Sequence, residues 1–410
     1  MLHTLQTGSP DIIIAGAGLS GLTLALELAR RPYFAGKKIL LLDRDSKQYN
    51  DRTWCFWATA DEPLPPVVLH TWEHCRFYGP GFEKRMNIAP YRYCLIRGID
   101  FYRWAHHELD KSENIRRIQT RITGMDATNG TVHTEAGVFK SDLIFNSAFT
   151  SAPVTPPASA DYPDPPLSVA PGPPLPWDGV RLLQHFKGWL IRTEQPAFDP
   201  AAMTFMDFRI DQEGETRFVY VLPFSTTRAL VEFTVFSPAL LEAGAYTVAL
   251  QQYLERYLNC SGATIEAEEF GVIPMTAFPF PHRREGAVIH IGTAGGFVKA
   301  SSGYAFKRTQ RKIAAFADAW ARTGAPDPSV LRSPFLFRAF DDIFLRVLGD
   351  NNALGSLIFQ RLFEKLPPAL VLRFLDEDTT FAGNLRLISA PPTMPFLRAF
   401  FQQLPGLFRI

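Results

Sequence analysis

Three glycines in Gly16-Ala17-Gly18-Leu19-Ser20-Gly21 stand where an apolar run gives way to a helical pattern, and this junction restricts the fold more than any other feature. Asp11-Ile12-Ile13-Ile14-Ala15 reads as a buried strand entering the turn. Apolar residues then recur at helical spacing through Leu22, Leu24, Ala25, Leu28 and Ala29. A second short strand, Lys38 to Leu42, ends at Asp43, 22 residues after Gly21. Strand, glycine turn, helix and strand form the unit that holds a dinucleotide. Gly16 permits the tight turn, Gly18 lets backbone approach a pyrophosphate, and Gly21 lets helix and strand pack closely. Unpaired N–H groups at the helix N-terminus face the phosphates, and Asp43 accepts hydrogen bonds from the adenosine ribose. FAD is favoured over NAD: the motif opens the chain, a second glycine turn comes late, and no second fingerprint is present for a separate nicotinamide.

The 410 residues suit two domains, or one domain with a large insertion. A formal net charge of +1 carries no footprint for nucleic acid, and Lys307-Arg308 and Arg283-Arg284 are short, local basic pairs. The four cysteines make no Cys-x-x-Cys pair, and the nine histidines show no metal-ligand spacing. His106 and His107 are adjacent on a helix and cannot both face one site, so no metal is expected. Met1 to Pro10 lacks a basic flank and apolar core, and no stretch approaches the roughly 18 apolar residues of a spanning helix. A cytoplasmic chain with reduced thiols is expected. The 34 phenylalanines have two readings, a well-filled core or an apolar ligand tunnel and membrane-contacting face.

The expected fold class is α/β: a Rossmann-type FAD-binding domain, an antiparallel-sheet substrate domain and a helical C-terminal region. Residues 8–150 form the first part of the FAD-binding domain, with a helix from Tyr102 to Lys111, a hairpin from Thr131 to Phe139 and a buried strand from Asp142 to Asn146. Residues 151–285 hold a proline-rich crossover, Ser151 to Gly179, followed by strands at Trp189 to Thr193, Met203 to Ile210, Phe218 to Pro223 and Ala229 to Phe236. Residues 286–330 complete the FAD-binding domain through a strand at Val288 to Ile291, the turn Gly292-Thr293-Ala294-Gly295-Gly296 and a helix from about Gly303 to Thr323. Residues 331–410 are helical, amphipathic and rich in Phe and Leu.

Asp51-Arg52-Thr53-Trp54-Cys55-Phe56-Trp57 resembles a signature of the FAD-dependent lycopene cyclases, the bacterial lycopene beta-cyclases among them. Further matches follow in order: Gln184 with Gly188-Trp189, Met206-Asp207, Leu222-Pro223-Phe224, Val231-Glu232-Phe233-Thr234 and Ile273-Pro274-Met275-Thr276. The longest runs from Ile291 to Lys299 and continues to Ser302-Gly303-Tyr304. The resemblance implies a hydroxylase-like two-domain flavoprotein that closes the linear psi ends of lycopene, or a related carotene, into beta rings without net redox change. It also implies FAD in its reduced form and NADPH as electron source. The chain departs from the pattern where Phe233 replaces a second acidic residue, which removes the neighbour that a two-carboxylate mechanism would use. Thr293 stands where broader flavoproteins carry Asp, and Asn146-Ser147 where they carry Asp-Ala or Asp-Gly.

Cyclisation of this kind needs a strong acid in a dry aromatic cavity, because water would trap the carbocation as an alcohol. Glu232 is the candidate acid: in Leu230-Val231-Glu232-Phe233-Thr234-Val235-Phe236, burial would keep its carboxyl protonated near pH 7. Strand alternation also admits an exposed Glu232 on a polar face with Thr234. Trp54, Phe56, Trp57 and Phe233 are candidate substrate-lining rings, with core packing as the alternative. Gly295 and Gly296 would bring backbone N–H groups to the flavin. Arg52 and Arg97 are candidates for contact with flavin or its phosphates, with surface ion pairs as the alternative. The C-terminal helices either cap the core or dock on a membrane surface, since lycopene is drawn from a bilayer; the expected location is cytoplasmic, peripheral to the membrane. Other functions considered are an FAD-dependent monooxygenase or prenyl-chain reductase on an apolar substrate, and a carotenoid- or flavin-binding protein without turnover.

Overall fold

The computed structural model describes residues 9–148, 179–278, 280 and 284–407. The proline-rich crossover at 151–178 lies outside the described residues. The first strand, Ile12–Ala15, sits at the centre of a five-stranded parallel sheet. Its order is Val288–His290, Ile144–Asn146, Ile12–Ala15, Ile39–Asp43 and Ile115–Gln119. Both faces of this sheet are covered, so its strands read as unbroken apolar runs rather than alternating ones. Ile12, Ile14, Ile39 and Leu41 pack with helices Leu19–Ala29, Gly98–Leu109 and Phe306–Thr323. Ile13, Leu40, Leu42 and Ile144 turn the other way, onto the three-stranded sheet Ile122–Asp126, Thr131–Thr134 and Gly137–Lys140.

The polypeptide leaves this sheet at Asn146 and returns to pair beside it only at Val288. Between them runs most of a seven-stranded sheet in the order Thr264–Thr276, Arg181–Arg192, Arg228–Ser237, Thr216–Ser225, Ala202–Asp207, His74–Gly79 and Phe82–Asn87. Its last two strands come from the stretch that sequence patterning assigned wholly to the nucleotide-binding part. Ala202–Asp207 pairs with His74–Gly79 in parallel, and the other neighbours are antiparallel. A smaller antiparallel sheet, Thr53–Thr59, Tyr91–Arg97 and His70–Trp72, also comes from the N-terminal part.

Period-two alternation decides what each face of the large sheet does. Along Arg228–Ser237, Val231, Phe233 and Val235 pack beneath helix Ala243–Tyr257 with Tyr246, Leu250 and Tyr253. Leu230 and Phe236 point the opposite way, into the core shared with the C-terminal helices through Leu345, Ile358 and Phe363. Glu232 shares their parity. Each fully buried ring such as Phe218 contributes about 1.5–3 kcal/mol of transfer free energy to holding these layers together. The C-terminal region forms helices Phe335–Asp350, Gly355–Lys365, Pro368–Leu375, Phe381–Ile388 and Thr393–Leu407. Among the described residues, no helix is long and apolar enough to cross a membrane.

Candidate active site

A cavity of about 1620 Å³ runs from the glycine turn of the parallel sheet to the large antiparallel sheet. That exceeds the roughly 300–1,000 Å³ of an ordinary small-molecule pocket, so a dinucleotide and the end of a second molecule can share it.

At the nucleotide end, Gly16 has φ +102°, and a Cβ there would meet Ser147 Oγ at 2.7 Å. Gly21 lies so close to the turn that a Cβ would be 1.8 Å from the Gly16 carbonyl oxygen, which is how helix and strand come together. A Cβ on Gly18 would meet nothing within 4 Å; this residue borders the cavity at the start of helix Leu19–Ala29. No side chain caps that helix. Its first N–H groups therefore suit an anion. Asp43 lies on the wall and accepts hydrogen bonds from the backbone N–H groups of Ala17 and Asp45. A carboxylate has about four acceptor sites, so it retains capacity for a ribose hydroxyl. Arg52 also lines the wall, ion-paired to Asp51 at 2.8 Å. Open glycine surface, an uncapped helix N-terminus and an acidic strand end together fit a dinucleotide such as FAD.

Three of the expected cofactor contacts stand elsewhere. Arg97 is half exposed, makes a two-pronged pair with Asp100 at 2.6 and 2.8 Å, and is not on the cavity wall. Its position at the head of helix Gly98–Leu109 points it to the acid in that helix's first turn. Gly295 and Gly296 are also off the wall, and their N–H groups already donate to the carbonyls of Ile291 and Thr293. They are packing glycines: a Cβ on Gly295 would meet the His290 carbonyl oxygen at 2.5 Å, and one on Gly296 the Phe280 ring at 2.6 Å. Gly292, Thr293, Ala294, Phe297 and Val298 face the cavity instead. At the other departures, Ser147 Oγ donates to the Gly16 carbonyl oxygen at 3.0 Å, and Asn146 Nδ2 is 2.9 Å from His290 Nδ1.

At the far end, the strand registers bring two carboxyls together. Gly188 on the central strand is opposite Glu232 on one side and Glu269 on the other, and Tyr220 is next beyond Glu232. All four share one face of the sheet. Gly188 leaves a notch: a Cβ there would sit 3.0 Å from Glu269 Cγ and 3.2 Å from Leu230 Cδ1. Through it the two carboxyls reach hydrogen-bonding contact. Thr234 Oγ1 donates to Glu232 at 3.0 Å, and Thr53 Oγ1 donates to Glu269 at 2.7 Å. Burial, then the neighbouring Glu269 charge, push the Glu232 carboxyl well above the ordinary range. Burial raises Glu269 as well, but its hydrogen bonds from Thr53 and Glu232 oppose the rise. One proton on Glu232, donated to an ionised Glu269, satisfies this arrangement.

Aromatic residues and a thiol close this end. Tyr93, Tyr220, Tyr304 and Cys55 line the cavity beside the carboxyls, whereas Trp54 borders it from the nucleotide side, against Phe101, Tyr102 and Phe306. The hydroxyls of Tyr93 and Tyr304 are 2.9 Å apart, and Tyr220 lies on the same cavity wall as Tyr304. Of the expected lining rings, Trp54 faces the cavity and the other three do not. Phe56 stacks on Phe306 at 5.0 Å within the nucleotide-side core, and Trp57 meets Tyr304 edge-on at 4.7 Å from behind. Phe233 lies on the opposite face of its strand, beneath helix Ala243–Tyr257. Sequence reasoning missed Glu269 and the tyrosines. For Glu269, Tyr93 and Tyr220 the sequence signal was alternation in strands whose partners were unknown, and Tyr304 stood only as part of the Ser302-Gly303-Tyr304 match.

A parallel nucleotide-binding sheet joined to a large, mostly antiparallel sheet by one cavity is the architecture of two-domain flavoproteins. Solved structures share it. A geranylgeranyl bacteriochlorophyll reductase-like protein from Thermoplasma acidophilum superposes with TM-score 0.58 at 12% identity, covering 95% of this chain and 98% of that one. A probable FAD-dependent monooxygenase from Pseudomonas aeruginosa gives TM-score 0.51 at 14% identity, covering 90% and 100%. Within that class the chain belongs to the lycopene cyclase family, whose model, described as lycopene cyclase protein, matches residues 11–400. Similar relatives are the lycopene beta-cyclases of Paracoccus sp. (strain N81106 / MBIC 01143), 26% identical over 94% of this chain and 95% of that protein, and of Pantoea ananas, 25% identical over 95% and 96%.

Proposed function

We infer that this chain is a lycopene beta-cyclase that closes the psi ends of lycopene into beta rings, giving gamma- and then beta-carotene. The observation that carries the reading is the half-buried carboxyl pair, desolvated at the aromatic end of a cavity that begins at a dinucleotide fold. Glu232 is the acid. It protonates the terminal double bond, and the resulting tertiary cation is attacked by the next double bond, forming the ring. Tyr93, Tyr220 and Tyr304 exclude water that would otherwise trap the cation, and their ring faces stabilise it.

FAD would be held by the Gly16–Gly21 turn, Asp43, Arg52 and the Gly292–Ala294 turn. In its reduced, anionic form it would supply negative charge beside the cation while the reaction exchanges no net electrons. NADPH is the electron source assigned here. The substrate reaches the protein from a membrane surface, onto which the last two helices dock peripherally. Phe381, Leu385 and Ile388 on one helix, and Met394, Leu397 and Phe401 on the next, recur at helical spacing as exposed apolar residues.

The test is anaerobic incubation of the purified protein with reduced FAD and lycopene in liposomes, followed by chromatography. Gamma- and beta-carotene should form without consumption of one NADPH per ring. Stoichiometric NADPH consumption would identify a monooxygenase or reductase instead, and tight lycopene binding without ring formation would identify a carrier.

A further inference from the structure

We propose that Glu269 is the base of the reaction: it takes the proton lost from the new ring and returns it directly to Glu232. This rests on the cyclase reading above and extends it to a residue 37 positions further along the chain (269 − 232). The chain lacks an acid next to Glu232, where Phe233 stands, and the fold provides one from a different strand. Both carboxyls flank Gly188, both border the cavity, and the missing Gly188 side chain lets them meet.

The proton balance follows from this pairing. Glu232 gives its proton to the inner, hydrogen-bearing carbon of the terminal double bond, leaving a tertiary cation on the outer dimethyl carbon, and becomes a carboxylate. A carbon–carbon bond forms between the cationic carbon and the next double bond, and the positive charge moves into the ring. The newly bonded ring carbon then loses its proton to the Glu269 carboxylate, and that electron pair becomes the ring double bond. Glu269 is now protonated and Glu232 ionised, the mirror of the starting state. One transfer across their hydrogen bond restores the start, with no solvent proton and no oxidant or reductant required.

The surroundings favour that division of labour. Thr53 Oγ1 donates to Glu269 at 2.7 Å, which stabilises its ionised form. The other titratable groups facing the pair are Cys55, Tyr93, Tyr220 and Tyr304, all held neutral by burial, and Asp51, whose charge acts on Glu269. No cation faces the pair among the charge partners that shift Glu232 and Glu269. Thr53 is therefore the main device keeping Glu269 ionised while Glu232 keeps the proton.

The decisive experiment compares pH–rate profiles of wild type, Glu269→Gln and Thr53→Val with reduced FAD and lycopene, with bound flavin measured for each. Wild type should show an acidic limb from protonation of Glu269 and a basic limb from ionisation of Glu232. Glu269→Gln should keep flavin, lose about 10²-fold or more in rate and lose the acidic limb. Thr53→Val, nearly isosteric, should retain both carboxyls and move the acidic limb to higher pH. Glu269→Gln cycling within about twofold of wild type with the acidic limb intact would overturn the proposal. Should that variant fail to fold, an unmoved acidic limb in Thr53→Val would overturn it equally. A wild type that forms no ring at all would instead refute the cyclase reading itself.

Discussion

Glu232 and Glu269 meet across Gly188, each directly opposite it on a neighbouring strand, so one missing side chain brings two carboxyls into contact. A half-buried, desolvated pair of acids is costly for folding and useful for proton transfer.

Glu232→Gln should abolish cyclisation and stabilise the protein. The carboxyl is raised in the folded state, so the native chain holds a proton that the unfolded chain releases above its ordinary value near 4.5. Stability is thus undiminished by this group below that pH and falls as pH rises toward the folded-state value. Glutamine mimics the protonated acid and donates to Glu269 in its place. The melting temperature should rise at pH 7 and be unchanged at pH 4, while ring formation drops by about 10²-fold or more.

Gly188→Ala should slow the reaction while leaving both carboxyls present. The new Cβ, 3.0 Å from Glu269 Cγ, pushes that side chain aside and separates the pair. A rate loss of about tenfold or more is expected with flavin retained, together with a stability cost of about 1–3 kcal/mol in denaturant unfolding from overpacking.

The two outer cavity glycines should behave differently. Gly16→Ala forces a side chain into φ +102° and against Ser147, so it should destabilise the fold by about 1–3 kcal/mol or more. Gly18→Ala places a Cβ that meets no protein atom within 4 Å and should fold normally. Its side chain occupies space next to the helix N-terminus, so it should lose the yellow colour of bound flavin with an unchanged melting temperature in the apoprotein.

Lys312 provides a separate pH signature away from the cavity. Burial, then the nearby Arg308 charge, lower its ammonium to about 7 from 10.5. Below pH 7 both folded and unfolded chains carry the charge and its burial cost is fully felt; between pH 7 and 10.5 only the unfolded chain stays charged, so stability rises. Lys312→Met should therefore raise the melting temperature most at pH 6, with the gain fading toward pH 10.

The proposed docking through the C-terminal helices can be tested by vesicle sedimentation. Phe381, Met394 and Phe401 are 75%, 74% and 62% exposed, too much apolar surface to be explained by the core beneath them. The triple substitution to Ser should reduce binding to anionic vesicles while leaving conversion of detergent-dispersed lycopene near wild type. Unchanged sedimentation would exclude this face as the docking surface.

Local pattern determined a great deal. The glycine turn, the apolar strand before it and the periodic helix after it read as a dinucleotide unit because each step depends only on neighbours a few residues apart. The same holds for the helical C-terminus and for Glu232 as an acid out of place in an apolar strand. Where local pattern went wrong, a longer-range choice intervened. Arg97 found Asp100 at the head of its own helix, and the N–H groups of Gly295 and Gly296 were taken up by their turn. Phe56 and Trp57 were drawn into cores on either side.

What tertiary structure alone decided was strand pairing. Alternation along Arg228–Ser237 shows that Glu232 and Phe233 point opposite ways, but only the helix packed on one side makes Phe233 core and leaves Glu232 to the cavity. Likewise nothing near Glu269 in the sequence links it to Glu232; the register of two strands against Arg181–Arg192 does. Periodicity is written in the order of the residues, whereas register is settled by which faces bury together when the chain closes on itself.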